Sequence, residues 1–152
     1  MEHVGAIRVD VASAIVGAQQ QEPALPIVSL TLVSERIAVR ELVRRAVIAQ
    51  VHALLAAHGR ANELARRLLA RQYMTQAEVE ELAREGRVAA PVVRAELELD
   101  VELEVERALR GFERRAFRVV VDGEMLLSLD DQLTLTPHAK VTFLRMIPLV
   151  GG

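Results

Sequence analysis

The chain has 152 residues, which is enough for one globular domain with a buried core and too few for two ordinary domains. Hydrophobic residues make up 51% and charged residues 26%, so the composition excludes an intrinsically disordered chain. With a net charge of −2, the chain lacks the excess of basic residues that a dedicated nucleic-acid binder has. It contains no cysteine, which excludes disulfides, thiolate catalysis and zinc–thiolate sites.

The apolar runs are only a handful of residues long, and the N-terminus has no basic stretch leading into an apolar one. We therefore expect a cytoplasmic protein with neither a membrane nor a nucleic acid as partner. The length predicts a single domain over residues 1–152.

Two strands are predicted near the N-terminus. Apolar residues alternate with polar ones over residues 7–11 and again over residues 28–32, which is the period of a half-buried strand. The stretch from Ser13 to Pro26 contains a glycine, three consecutive glutamines and two prolines, so it predicts an unusually long loop. Together these segments predict a hairpin.

A helix of about 24 residues is predicted next. Ser34 is placed to accept a backbone N–H at its start, and apolar residues recur at helical spacing from Val39 to Leu55. Gly59 is placed as a left-handed cap at its end. Such a helix would be about 36 Å long, enough to lie across a small sheet.

Two shorter helices are predicted between Arg60 and Arg87. The second opens with Thr75 and Glu78, the spacing of a capping box in which each side chain satisfies the other's backbone donor. Their opposite charges predict a self-neutralising helical hairpin. A DNA-reading helix-turn-helix over residues 64–83 is disfavoured because the second helix is acidic.

The segment from Ala95 to Val105 fits both a strand and a helix. We predict a helix from Asp100 onward because five apolar residues then share one face; they are Val101, Val105, Ala108, Leu109 and Phe112. Leu97 and Leu99 alternate with acidic residues and predict a short strand before it.

The last 36 residues have the pattern of β-structure. Residues 117–121 predict a strand, Asp122 and Gly123 a tight turn, and residues 125–127 a short return strand. Turns are predicted around Leu133, and residues 141–147 form the predicted final strand.

Residues 117–124, Leu133 and residues 141–152 resemble the C-terminal half of ubiquitin-like modifiers and of their sulfur-carrier relatives, the molybdopterin synthase small subunit and the thiamine sulfur carrier. Residues 4–58 match by order of elements only. The resemblance implies an α+β protein in which a mixed β-grasp (ubiquitin-like) sheet packs on a long helix. It also implies a helical insertion at about residues 60–115, before the third strand, and a flexible tail at 148–152. Bacterial ubiquitin-like modifiers tolerate such enlargement best.

The chemistry implied by the resemblance takes place at the terminal glycine pair. Gly151 and Gly152 lack a Cβ atom, so they fit a crevice too narrow for side chains and bring a carboxylate to a buried nucleotide. That carboxylate is a poor acyl donor until it is adenylated and passed to sulfur. Gly152 and Gly151 are thus the expected adenylation and conjugation site. The expected activating-enzyme-binding tail consists of Pro148, Leu149 and Val150.

Three functions remain open, and the first is favoured because about 55 residues of extra helix argue for additional protein contacts. A protein modifier would pass from an activating to a conjugating enzyme and then to a target protein, with a deconjugating peptidase as a further partner. A sulfur carrier would form a thiocarboxylate at Gly152 for cofactor or tRNA biosynthesis. A self-assembling module would pair with copies of itself as a homo-oligomer. ATP is used by the activating enzyme, so the chain needs no cofactor.

Lys140 is the only lysine, so it is the expected site of any self-linkage apart from the N-terminal amine. The other chemistry-bearing residues do not cluster, since the serines lack nucleophile-elbow glycines and the glycines form no phosphate-binding loop. No metal site is expected from the scattered histidines His3, His52, His58 and His138. The chain is expected to be a substrate of enzymes and not an enzyme.

Overall fold

A computed structural model describes residues 6–17, 25–58, 62–88 and 99–146. These residues form an α+β structure with four helices, a mixed five-stranded sheet and a separate pair of short strands. The helices are α1 (Val39–His58), α2 (Asn62–Tyr73), α3 (Gln76–Val88) and α4 (Val101–Glu113). The strands are β1 (Ile7–Val16), β2 (Val28–Leu32), β3 (Arg36–Ala38), β4 (Arg118–Val121), β5 (Glu124–Leu126), β6 (Gln132–Thr134) and β7 (Lys140–Met146).

The five-stranded sheet has the order β2-β1-β7-β4-β5. The two central strands, β1 and β7, are parallel, and every other neighbouring pair in this sheet is antiparallel. β3 and β6 pair with each other in a two-stranded antiparallel sheet. The last described strand therefore returns to the middle of the sheet beside the first.

The core lies between one face of this sheet and the helices. Alternate strand residues point inward because successive side chains of a strand point to opposite faces. Val11 on β1, Val119 on β4 and Phe143 on β7 are fully buried there. α1 packs on this core through the buried polar residue Gln50 and through buried apolar residues, namely Val39, Leu42, Val43, Ala46, Val47, Val51 and Leu54.

β1 is longer than predicted. The predicted loop from Ser13 to Pro26 is wrong at its start, because residues 13–16 continue the strand and pair with residues 143–146 of β7. Small and β-branched residues over 13–16 fit a strand once a partner lies beside them, and pairing overrides the weak local signal. Residues 18–24 lie outside the described part of the chain.

The predicted helix start at Ser34 is also wrong. The three residues of β3 come first, and α1 begins at Val39. Backbone carbonyls cap the helix instead, since the Val39 N–H donates to the Asp131 carbonyl at 2.9 Å and the Arg40 N–H to that of Leu129 at 3.0 Å. The Ser34 hydroxyl accepts from the Arg36 N–H, and Gly59 lies outside the described residues.

The two helices predicted between residues 60 and 87 are confirmed as α2 and α3. The capping box is confirmed too: Thr75 Oγ1 accepts from the Glu78 N–H at 3.2 Å, and Glu78 Oε1 accepts from the Thr75 N–H at 3.2 Å. Burial opposes ionisation of Glu78, but hydrogen bonds from Thr75 and the charge of Arg114 outweigh it and lower its pKa.

The helix predicted from Asp100 is confirmed as α4. Asp100 is its N-cap, and its Oδ1 accepts from the Leu103 N–H at 3.3 Å. Leu99 belongs to no strand, so the short strand predicted there is wrong at that residue, and Leu97 lies outside the described residues. An amphipathic helix with a capped start buries more apolar surface than two isolated strand residues would.

The C-terminal hairpin is confirmed. Asp122 and Gly123 have φ values of 50° and 85°, as a two-residue turn between twisted strands requires. The return strand β5 starts and ends one residue earlier than predicted, and β7 begins one residue earlier. Within the described ranges, no helix has the length and hydropathy needed to span a membrane.

Candidate protein-docking face

The two faces of the five-stranded sheet differ. The inner face packs on the helices, while the outer residues of the central strands are exposed or half-buried. On β7 the outward residues are Lys140, Thr142, Leu144 and Met146, and each has an outward neighbour on β1. The outer face is therefore the surface of the sheet that is open to other molecules.

One end of this outer face is apolar. Val16 and Met146 pair across the ends of β1 and β7, and they are 52% and 57% exposed. Leu144 precedes Met146 on the same face, and Val120 pairs with Met125, which is 42% exposed. We call these five residues the docking face. Val16, Met146 and Met125 are exposed, while Leu144 and Val120 are half-buried. Exposed apolar side chains grouped on one face of a domain typically mark a protein interaction surface.

The positively charged side chain of Arg118 lies beside Met125 in the docking face. Arg118 pairs with Leu144 across β4 and β7, and its Nη1 lies 3.2 Å from the Sδ atom of Met125. The arginine stem adds apolar surface while its guanidinium stays in contact with water. A partner that fits this end would be apolar in its centre with an acidic group at the edge.

The other end of the outer face is polar. Ser29 Oγ donates to Asp10 Oδ1 at 2.5 Å, and Asp10 is opposite Lys140 in the parallel pairing. The Lys140 N–H donates to Asp122 Oδ1 at 2.8 Å, which fixes the backbone of this residue at the start of β7. The predicted self-linkage residue is thus exposed, about 20 Å along the strand from Met146.

The predicted tail lies beyond the described residues. Pro148, Leu149, Val150, Gly151 and Gly152 all fall in this part of the chain, so their placement stays a prediction. β7 is described as far as Met146, which stands six positions before Gly152. An extended chain spans at most about 3.5 Å per residue, so six positions correspond to a reach of at most about 20 Å from Met146.

The inner side of the same end of β7 is held by α2. Gln72 Nε2 donates to the Phe143 carbonyl at 3.0 Å, and Arg145 Nη1 donates to the Met74 carbonyl. Gln72 and Arg145 are 1% and 5% exposed. Burial lowers the pKa of the Arg145 guanidinium.

Tyr73 fills the space between these two bonds. Its ring lies 4.9 Å from that of Phe117 and 6.2 Å from that of Phe143, both edge-on. Its hydroxyl donates to Gln50 Oε1, and Gln50 Nε2 donates to Ser13 Oγ at 2.9 Å. Burial raises the pKa of the Tyr73 hydroxyl, so it stays protonated and continues to donate. The ends of β1 and β7 are therefore both bonded to the helical layer.

Two of the four histidines have described side chains. His52 and His138 are exposed on α1 and in the turn before β7, while His3 and the side chain of His58 fall outside the description. Over residues 6–17, 25–58, 62–88 and 99–146, no three histidine or carboxylate side chains come together as metal ligands would.

The docking face, Gln72 and Arg145 are absent from the site predicted from the sequence. The strand pattern could have found Arg145, because it occupies the inward position after Val141 and Phe143, where an arginine is unusual. Gln72 gives no such signal, because helical spacing alone does not say which strand it meets.

Comparison with protein-family models, with curated proteins and with solved structures finds no match to this chain. The α+β class and the mixed five-stranded sheet are properties of the structure itself.

Proposed function

We propose that this chain is a ubiquitin-like protein modifier of the β-grasp type, whose reactive atom is the carbonyl carbon of Gly152. An activating enzyme joins the Gly152 carboxylate to the α-phosphate of ATP and releases pyrophosphate. A cysteine thiol of the enzyme then displaces AMP, and an amine or hydroxyl of a target protein finally displaces the thiol. The chain is a substrate in each step.

The order of elements supports the β-grasp interpretation. β1, β2, α1, β4, β5 and β7 follow one another as strand, strand, long helix, strand, short strand and final strand. β3 and β6 are additions to that order, and α2–α4 fall where the resemblance implies a helical insertion.

The observation that carries the proposal is the position of the docking face at the end of β7. An enzyme that draws the Gly152 carboxylate into a nucleotide site has to lie within the reach of six residues from Met146. At that end of the sheet it meets Leu144, Met146 and Val16, an apolar surface suited to a protein partner. The occupant we assign to the docking face is the activating enzyme.

The helical segment favours a modifier over a sulfur carrier. α2, α3 and α4 add surface that sulfur transfer does not need, including the exposed Glu80 and Glu81 on α3. A modifier has to be bound by several proteins in turn, and additional helices offer places for them.

The reaction is tested by incubating the chain with ATP and, one at a time, with each adenylating enzyme encoded in its source genome, followed by intact-mass measurement. We expect a complex of chain and enzyme that thiol reagents cleave, and a resistant adduct once a target protein is added. The chain lacking Gly151 and Gly152 should give neither product.

Two other results would replace this function. A gain of about 16 Da on the chain itself, from oxygen exchanged for sulfur, would make it a sulfur carrier. Stable oligomers that form without ATP, with no thioester on any enzyme, would make it an assembly module.

The docking face is tested with Met146→Glu, which places a negative charge on it at the end of β7. We expect the KM for the chain in ATP–pyrophosphate exchange to rise about tenfold, which corresponds to about 1.4 kcal/mol of binding. The matched control is Thr31→Glu, an exposed residue on the outer face at the opposite end of the sheet. An unchanged KM for Met146→Glu would show that the enzyme binds elsewhere.

Lys140 gives a test of linkage between copies. Trypsin cleaves after Arg145, so a copy attached to Lys140 leaves residues 146–152 as a branch on that lysine. Lys140→Arg should remove this branch without affecting attachment to other proteins. Copies linked through many hydroxyl groups would contradict the expectation.

A further inference from the structure

Arg145 is a buried cation without an acidic partner in the described part of the chain. It is 5% exposed, and its hydrogen bond goes to a backbone carbonyl, that of Met74 at the end of α2. The other inward residues of β7, Val141 and Phe143, are apolar. Burying an unpaired charge opposes folding, and an apolar side chain of similar size is often equally or more stable at such a site.

The position of Arg145 on β7 shows what this bond does. The pairing of β4 with β7 ends at Leu144, opposite Arg118. Arg145 and Met146 are paired only with Ile15 and Val16 of β1. On the inner side, the bond from Arg145 to α2 holds the strand at the point where β4 no longer does.

Gln72 strengthens the same attachment. Its Nε2 donates to the Phe143 carbonyl at 3.0 Å, two residues before Arg145. The end of α2 is itself fixed, because α4 approaches it so closely that a Cβ atom on Gly111 would lie 1.7 Å from the Tyr73 carbonyl oxygen. Two hydrogen bonds therefore join a rigid part of the helical layer to the last four residues of β7.

We propose that Arg145 is a positioning residue, which through Met74 fixes the backbone of the last described residues of β7, to which residues 147–152 are attached, and so sets how the Gly152 carboxylate reaches the activating enzyme. This inference rests on the proposed function of Gly152. It gives α2 a part in the reaction, although α2 lies on the side of the sheet opposite the docking face. Fraying of β7 by two residues would move the starting point of the last segment by about 7 Å. Shifts of about 1 Å in a reacting group can cost a hundredfold in rate.

The test uses Arg145→Met, which keeps an unbranched apolar stem and removes the guanidinium with its donors. We expect kcat for ATP–pyrophosphate exchange to fall about tenfold with KM changed less than threefold, because the residues of the docking face are retained. Arg145→Lys should restore kcat to within threefold, since an ammonium can also donate to the Met74 carbonyl. The matched control is Arg8→Met, an exposed arginine on β1, which should behave as the wild type.

Measurements of stability and of amide hydrogen exchange distinguish a positioning role of Arg145 from a merely structural one. Arg145→Met should unfold at the same urea concentration as the wild type or at a higher one, while amide exchange over residues 143–146 becomes at least about tenfold faster. Wild-type kcat in Arg145→Met, unchanged exchange, or no rescue by lysine would each overturn the inference. If the wild-type chain gives no adenylation with any enzyme, the proposed function fails, and unchanged exchange would then still overturn the role of Arg145.

Discussion

The two sides of β7 differ in burial although their residues are similar in composition. Phe143 and Leu144 are adjacent apolar residues, yet the first is fully buried against α2 and the second lies on the open outer face. A strand has a period of two, so neighbouring residues face opposite surfaces whatever their composition. The inner side of β7 carries stability, and we assign recognition to its outer side. Truncations to alanine on the two sides should therefore change the free energy of unfolding by different amounts.

The largest expected effect is on the inner side. Phe143→Ala should lower the free energy of unfolding by about 4 kcal/mol, because it empties a site in contact with Tyr73 and Phe117. Met146→Ala, three residues later on the outer side, should change it by less than about 0.5 kcal/mol. Urea denaturation of the two variants measures both. Similar losses for both would show that the outer side also belongs to the core.

The second-largest loss of stability is expected at the contact between α4 and α2. Gly111→Ala should lower the free energy of unfolding by about 3 kcal/mol, since the added methyl group would overlap the Tyr73 carbonyl and the backbones would have to separate. Gly123→Ala is the matched control, because a Cβ atom there meets nothing within 4 Å and the cost is that of a positive φ, about 1 kcal/mol. Equal midpoints in urea would contradict the close approach.

A smaller loss should follow removal of the Tyr73 hydroxyl. Tyr73→Phe keeps the ring against Phe117 and leaves Gln50 Oε1 buried without its donor. The expected cost is about 2 kcal/mol in urea denaturation. The KM of the chain in adenylation should not change while the variant is folded, because the docking face is untouched. A raised KM would show that the two sides of the sheet are coupled through Tyr73.

The sequence was sufficient to predict the elements that are determined by residues close together in the chain. The alternation in β2 and β4, the Thr75 and Glu78 capping box and the turn at Asp122 each depend on residues a few positions apart. The end of β1 and the strands β3 and β6 were missed because they exist only through partners about 100 to 130 residues away. The docking face and Arg145 were missed for the same reason, since exposure depends on which face the helices cover.

Two carboxyl groups of the helical layer, those of Glu104 and Glu78, have pKa values that are shifted in opposite directions. Glu104 on α4 is 5% exposed, and burial raises its pKa although Arg107 lies 3.1 Å away and Arg66 is nearby. Glu78 has a lowered pKa, because hydrogen bonds from Thr75 and the charge of Arg114 outweigh its burial. The environment of Glu104 therefore disfavours the ionised form, and that of Glu78 favours it.

These directions predict opposite pH dependences, and the effects should be the smallest of the series. Because the folded chain holds the Glu104 proton more tightly than the unfolded chain, the contribution of Glu104 to stability is present below its ordinary pKa of 4.5 and is lost as the pH rises through the raised value. Glu104→Gln should thus match the wild type at acidic pH and be more stable at pH 7. Glu78→Gln should lose stability relative to the wild type as the pH rises, since ionised Glu78 stabilises the fold above its ordinary pKa and loses that contribution on acidification. Urea denaturation of both variants between pH 3 and pH 7 measures these changes in the free energy of unfolding. If both variants lose stability relative to the wild type as the pH rises, Arg107 compensates the burial of Glu104 in full.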